Sequence, residues 1–187
     1  MGPTPNLQAL VTACKRYGPG RLPRADRRDF GAGYAGATAA FVIAVTYALA
    51  TTAVYQLGFT HDFVHPFWSA SALVALPFVV PAAFLVGAAV WRYLPERIPY
   101  FGAVAGLVAT ALTYAVALVL VFVALLVLTA YMGTGTAIGT TAELLHATAG
   151  VTAVIGIFAL ILTAWVTIPI GCLSGVIYER ARTVSVR

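Results

Sequence analysis

The sequence predicts an all-α membrane protein: a bundle of four transmembrane helices, both termini cytoplasmic, preceded by a short interfacial amphipathic helix. Three observations carry this. The chain is 187 residues long, 61% hydrophobic and only 9% charged, with mean hydropathy +0.93, whereas a soluble domain is about a quarter charged. Residues 30–60, 66–91, 98–142 and 147–178 contain no Asp, Glu, Lys, Arg or His, and roughly 20 apolar residues suffice to cross the hydrocarbon. The eleven Lys and Arg residues all flank these stretches on one side: Lys15, Arg16, Arg21, Arg24, Arg27 and Arg28 before the first, Arg92 and Arg97 after the second, Arg180, Arg182 and Arg187 after the fourth. By the positive-inside rule those segments face the cytoplasm.

The elements follow in order. Residues 1–29 form a basic segment holding a helix over 6–17, where Leu7, Leu10, Val11 and Cys14 share a stripe, Asn6 caps the start and Gly18-Pro19 stops it. With Lys15 and Arg16 beside the stripe, it is expected to lie in the interface. No cleaved signal peptide is expected, because the first apolar run starts late and is too long. The four-helix domain covers 30–180, with spans near 31–57, 68–92, 99–131 and 142–178 and Asp29 expected as the first cap. The second span ends in "WRYLPERIPY", where Pro95 and Pro99 force a turn and Trp91, Tyr93 and Tyr100 read as interfacial anchors. Residues 181–187 are a cytoplasmic tail.

Two segments echo one another. "PAAFLVGAAVWR" (81–92) and "PIGCLSGVIYER" (169–180) share Pro, Leu, Gly and Arg at equal offsets, and Phe30-Gly31-Ala32 opens the first span as Phe101-Gly102-Ala103 opens the third. Two hairpins related by an axis along the membrane normal would produce this. Gly31, Gly33, Gly36, Gly87, Gly102, Gly106, Gly171 and Gly175 fall at a common depth near the basic end, two pairs of them at GxxxG spacing. Glycine at this spacing lets backbones approach where no hydrophobic effect drives association.

Chemistry has few footholds. His61, His65, His146 and Glu143, with Asp62 as an orienting neighbour, gather at the far boundary and form the candidate Zn, Cu or haem site. Competing readings are local: Pro66 disfavours helix at His65, and Thr140-Thr141-Ala142-Glu143 is a capping box. The span interiors carry only hydroxyls, which argues against a proton-coupled pump. No Ser/His/Asp arrangement, P-loop, GxGxxG or CxxC occurs, so enzyme chemistry has a foothold only at that far rim. Net charge +5 reads as topology and as contact of Lys15, Arg16, Arg27, Arg28, Arg92, Arg97, Arg180 and Arg182 with lipid headgroups, not as a nucleic-acid site.

With one Lys against ten Arg, a bias of GC-rich prokaryotic genomes, the expected protein is a non-enzymatic, multi-pass subunit of a prokaryotic cell membrane, without a cofactor. It is expected to pack through its glycine-rich half with copies of itself or another membrane subunit, as an accessory or permeation component. A metal or haem site at the histidines and a threonine-lined passive channel or neutral-solute transporter are the alternatives.

Overall fold

The computed structural model describes residues 21–58, 65–95, 97, 99–132 and 140–185. The expected helix over 6–17, with Cys14, Lys15 and Arg16, and the residues His61 and Asp62 lie outside them. The described residues form four helices: α1 (Arg28–Gln56), α2 (Pro66–Tyr93), α3 (Phe101–Tyr131) and α4 (Thr141–Ser185). Each is long and apolar enough to span a membrane, which marks the chain as a multi-pass membrane protein.

The helix ends follow local chemistry, with two departures from expectation. Asp29 is not the cap of α1; Arg27 occupies that position in extended geometry, and Asp29 sits in the first turn, 3.2 Å from the Arg27 guanidinium. There its charge still favours the positive end of the helix. The fourth helix continues beyond the expected span through Arg180 and Arg182 to Ser185, because no Pro or Gly follows Gly175 to stop it. At about 1.5 Å per residue it is ~68 Å long, against ~45 Å for a whole bilayer with headgroups, so its ends project.

The helices close a ring. The hairpins α1/α2 and α3/α4 carry most of the packing, and α2 against α3 and α1 against α4 complete the circuit. Buried side chains concentrate at the basic end: Ala32, Val86, Val90, Trp91, Phe101 and Ala105 form the core, with Leu94 and Tyr178 packed against it. Trp91 is therefore no interfacial anchor. It is 4% exposed and meets Phe101 and Tyr178 edge-on at 4.8 and 4.7 Å, while Tyr93 and Tyr100 stay exposed. The sequence places aromatics near the boundary; only the ring of helices decides which one turns inward.

The two hairpins pack in registers that differ by one residue. Gly36 lies against the Ala83 carbonyl and Gly87 against Ala32. Displacing α1 as Phe30 goes to Phe101, and α2 as Pro81 goes to Pro169, carries these contacts to Leu107/Gly171 and Ala103/Gly175. The contacts found, Gly106 on Gly171 and Gly102 on Gly175, differ by one residue on α3. The packing therefore repeats between the hairpins only to within one residue on α3.

Candidate functional site

At the far end, the histidine-rich region is built from helix starts. Pro66 opens α2, and His65 caps it, its Nδ1 accepting from the Phe67 N–H at 3.1 Å. Thr140 and Glu143 form the capping box of α4: the Thr140 N–H donates to Glu143 Oε2 at 3.0 Å, and the Glu143 N–H to Thr140 Oγ1 at 3.3 Å. His146 is exposed one turn further along. Among the described residues no group of three or more His, Cys, Asp or Glu is placed to hold a metal ion. His65 and Glu143 are both engaged by backbone, and His61 and Asp62, which would have to complete a ligand set, lie outside the described residues.

The α3/α4 seam holds the glycines. A Cβ on Gly106 would run into the Gly171 carbonyl, and one on Gly175 into the Gly102 carbonyl. Gly33, Gly36 and Gly87 line the α1/α2 crossing in the same way, and Gly31 sits under Ala25 O and the Tyr178 hydroxyl. These close backbone approaches are made within one chain, so another chain cannot use the same faces without displacing a helix.

Hydroxyls continue the seam across the membrane. On α4, Thr148, Thr152 and Gly156, then Thr163, Thr167, Gly171, Gly175 and Glu179, follow at four-residue spacing with one longer step. On a 3.6-residue helix each step of four drifts about 40° and the step of seven takes back about 20°, so the stripe winds slowly around α4. This signal was legible in the sequence, and reading only the two GxxxG pairs misses it. Most of these threonines donate to carbonyls one turn back, as Thr110 does to Gly106 O at 2.8 Å and Thr152 to Thr148 O at 2.8 Å, the usual way a helix in lipid satisfies a hydroxyl.

Tyr114 joins that seam at mid-span. Its hydroxyl lies 2.5 Å from Thr163 Oγ1 and 2.8 Å from Thr167 Oγ1, while Thr163 reaches Ala159 O at 2.7 Å and Thr167 reaches Thr163 O at 3.0 Å. Three hydroxyl protons face four contacts, so one contact always lacks its proton. The triad ties α3 to α4 and leaves its hydrogen-bond direction free to alternate.

No family model, curated protein or solved structure matches this chain. Any function must therefore be argued from its own residues.

Beyond the seams, the described residues line two clefts toward the far end, among others. One of about 430 Å³ lies between α1 and α2, lined by residues such as Val45, Leu49, Thr52, Ser69 and Leu73. The other, about 140 Å³, lies between α3 and α4 beside Thr129 and Thr148. Their linings are mainly apolar side chains, and Ser69 already donates to Pro66 O at 2.9 Å.

The basic end is tied by residues that their isolated sequence context does not single out. Tyr100, the residue before α3, is left-handed at φ 56° and supplies no side-chain cap. Glu179 of α4 supplies it instead, its Oε2 accepting from the Gly102 N–H at 2.9 Å. Tyr178 donates to Arg28 O at 3.0 Å and Arg28 donates to Leu94 O at 3.1 Å. A glutamate beside arginines reads in sequence as an ion-pair partner; its job across the bundle is visible only in three dimensions.

Proposed function

We propose that the protein is a non-enzymatic subunit of a prokaryotic cell membrane that works by associating with another transmembrane chain, most simply a second copy of itself, as an accessory or permeation component. Both termini and the α2–α3 turn face the cytoplasm. The arginines clustered at that end support this orientation.

The observation that carries the association is the outward face of α4. Val151, Val154, Phe158, Ile161, Trp165 and Ile168 recur there at alternating three- and four-residue spacing and all are exposed, although Phe158 also meets Trp68 of α2 at 6.5 Å and Val151 lines the α3/α4 cleft. That is the seam pattern of helices that pack on helices. Trp165 is 72% exposed, and about 20 Å of helix separates it from Tyr178 at the basic end. Tryptophan facing lipid belongs at the interfaces, where its N–H meets headgroups. Here the indole Nε1 instead donates to Leu162 O at 2.7 Å, leaving a large apolar surface at mid-span of the kind that anchors interfaces.

The test is light-scattering mass in mild detergent, together with disulfide trapping of a Trp165→Cys variant in liposomes on a Cys14→Ser/Cys172→Ser background. A dimeric or larger mass, reduced in Trp165→Leu, and a cross-link through position 165 are expected. A monomer throughout, without cross-link, would sink the reading of self-association. Single-cysteine labelling from either side of intact cells checks the orientation separately.

A further inference from the structure

The basic end holds more positive charge than its own carboxylates neutralise. Among the described residues, eight arginines lie there against Asp26, Asp29 and Glu179. Glu179 is committed to the Gly102 N–H, and Asp29 to Arg27. Within this surplus one place is built rather than merely charged. Residues 22–27 fold back on the first turns of α1: the Ala25 N–H donates to Leu22 O at 3.1 Å and the Arg27 N–H to Arg24 O at 3.0 Å, and the Tyr34 hydroxyl donates to Pro23 O at 3.2 Å. Arg24 turns the chain at φ 62°.

The turn brings two guanidinium groups to one ring. Arg24 Cζ lies 6.0 Å and Arg27 Cζ 5.1 Å from the centre of Phe30. Phe30 in turn meets Phe84 edge-on at 6.2 Å, and Tyr34 meets Phe84 at 5.0 Å. Both arginines are exposed, and Asp29 takes one terminal nitrogen of Arg27, leaving the rest of its five-donor fork. Two exposed cations at 5.1 and 6.0 Å from one ring of a spanning helix put positive charge beside apolar surface at the basic end.

We infer that Arg24 and Arg27, over Phe30, bind the phosphate of an anionic lipid headgroup, with the lipid's acyl chains lying against Phe30, Tyr34 and Phe84. Charge complementarity selects the occupant: guanidinium forks match phosphate oxygens bidentately, and a phosphate carrying acyl chains also covers the rings. A free anion would satisfy the arginines and leave the rings bare. The inference rests on the membrane placement proposed above, requiring only that the basic end lie at a bilayer surface.

Full-length protein in nanodiscs of mixed phosphatidylcholine and phosphatidylglycerol, released into native mass spectrometry, tests it. Wild type is expected to retain the anionic lipid over the zwitterionic one, and Arg24→Gln/Arg27→Gln to weaken that retention by about tenfold or more, each arginine near a surface contributing about as much as one such headgroup attraction. A charge-matched control, Arg21→Gln/Arg187→Gln, is expected to keep the preference. Equal loss in both double variants would reduce the site to diffuse surface attraction and overturn the proposal. So would displacement of the lipid by millimolar inorganic phosphate, which would assign a free-anion site. Helical circular dichroism of every variant in the nanodisc, together with the cysteine labelling above, separates failure of this site from failure of the membrane reading.

Discussion

At residue scale, the seams make opposite demands on glycines that look alike in the sequence. A methyl at Gly171 would meet the Thr110 hydroxyl and the Gly106 carbonyl, whereas one at Gly150 meets nothing within 4 Å. Gly171→Ala is therefore expected to cost about 1–3 kcal/mol through overpacking. Gly150→Ala should be neutral or stabilising by up to ~1 kcal/mol, since alanine is the better helix former. Unfolding titrations in mixed micelles distinguish the two, and equal effects would mean that the seam yields without cost. Tyr114→Phe removes both inter-helix hydroxyl contacts of the triad. A loss of about 0.6–1.7 kcal/mol is expected, the range for hydrogen bonds between helices in lipid. No measurable loss would show that Thr163 and Thr167 are fully served by their own carbonyls.

At the scale of elements, local sequence explains the starts of α2 and α4, and tertiary contact explains that of α3. His65 with Pro66, and Thr140 with Glu143, are caps whose donors and acceptors lie within three residues, so they were legible. Glu179 lies on another helix from the N–H it accepts, and no short-range pattern announces that. Glu179→Ala should cost about 1 kcal/mol by uncapping α3, read as faster hydrogen exchange at the amides of residues 101–104. Exchange unchanged there would mean that the Tyr100 carbonyl, which accepts from Ala103 and Val104, already holds the first turn. The two glycine pairs were likewise legible as close-packing signals. That they face one another, rather than another chain, depends on the antiparallel fold of the hairpin.

At the scale of the molecule, Trp91 joins the ring where α2, α3 and α4 meet. Trp91→Ala should cost about 3–5 kcal/mol, as removal of a buried aromatic does, while Tyr93→Ala, at an exposed position, should cost little. Comparable losses in the same unfolding assay would contradict the placement of the core at the basic end. The contrast between the ends is one of packing: the buried core lies at the basic end, while the Trp165 face of α4 stays exposed.

What the sequence by itself determined is whatever depends on length, period and charge: four spans, the grouping of the arginines, the local caps and the echo between the hairpins. A residue's distance from water along a helix is fixed by its number in the chain, so one-dimensional patterns capture depth. Rotation about the helix axis is different. Beyond the Gly and Thr stripe of α4, which face meets a neighbour was decided by the tertiary structure, because the remaining faces of the spanning helices are alike in apolar character. That is why Trp91 turned inward, why Glu179 became a cap for α3, and why the glycines were engaged within the chain while the Trp165 face remained open.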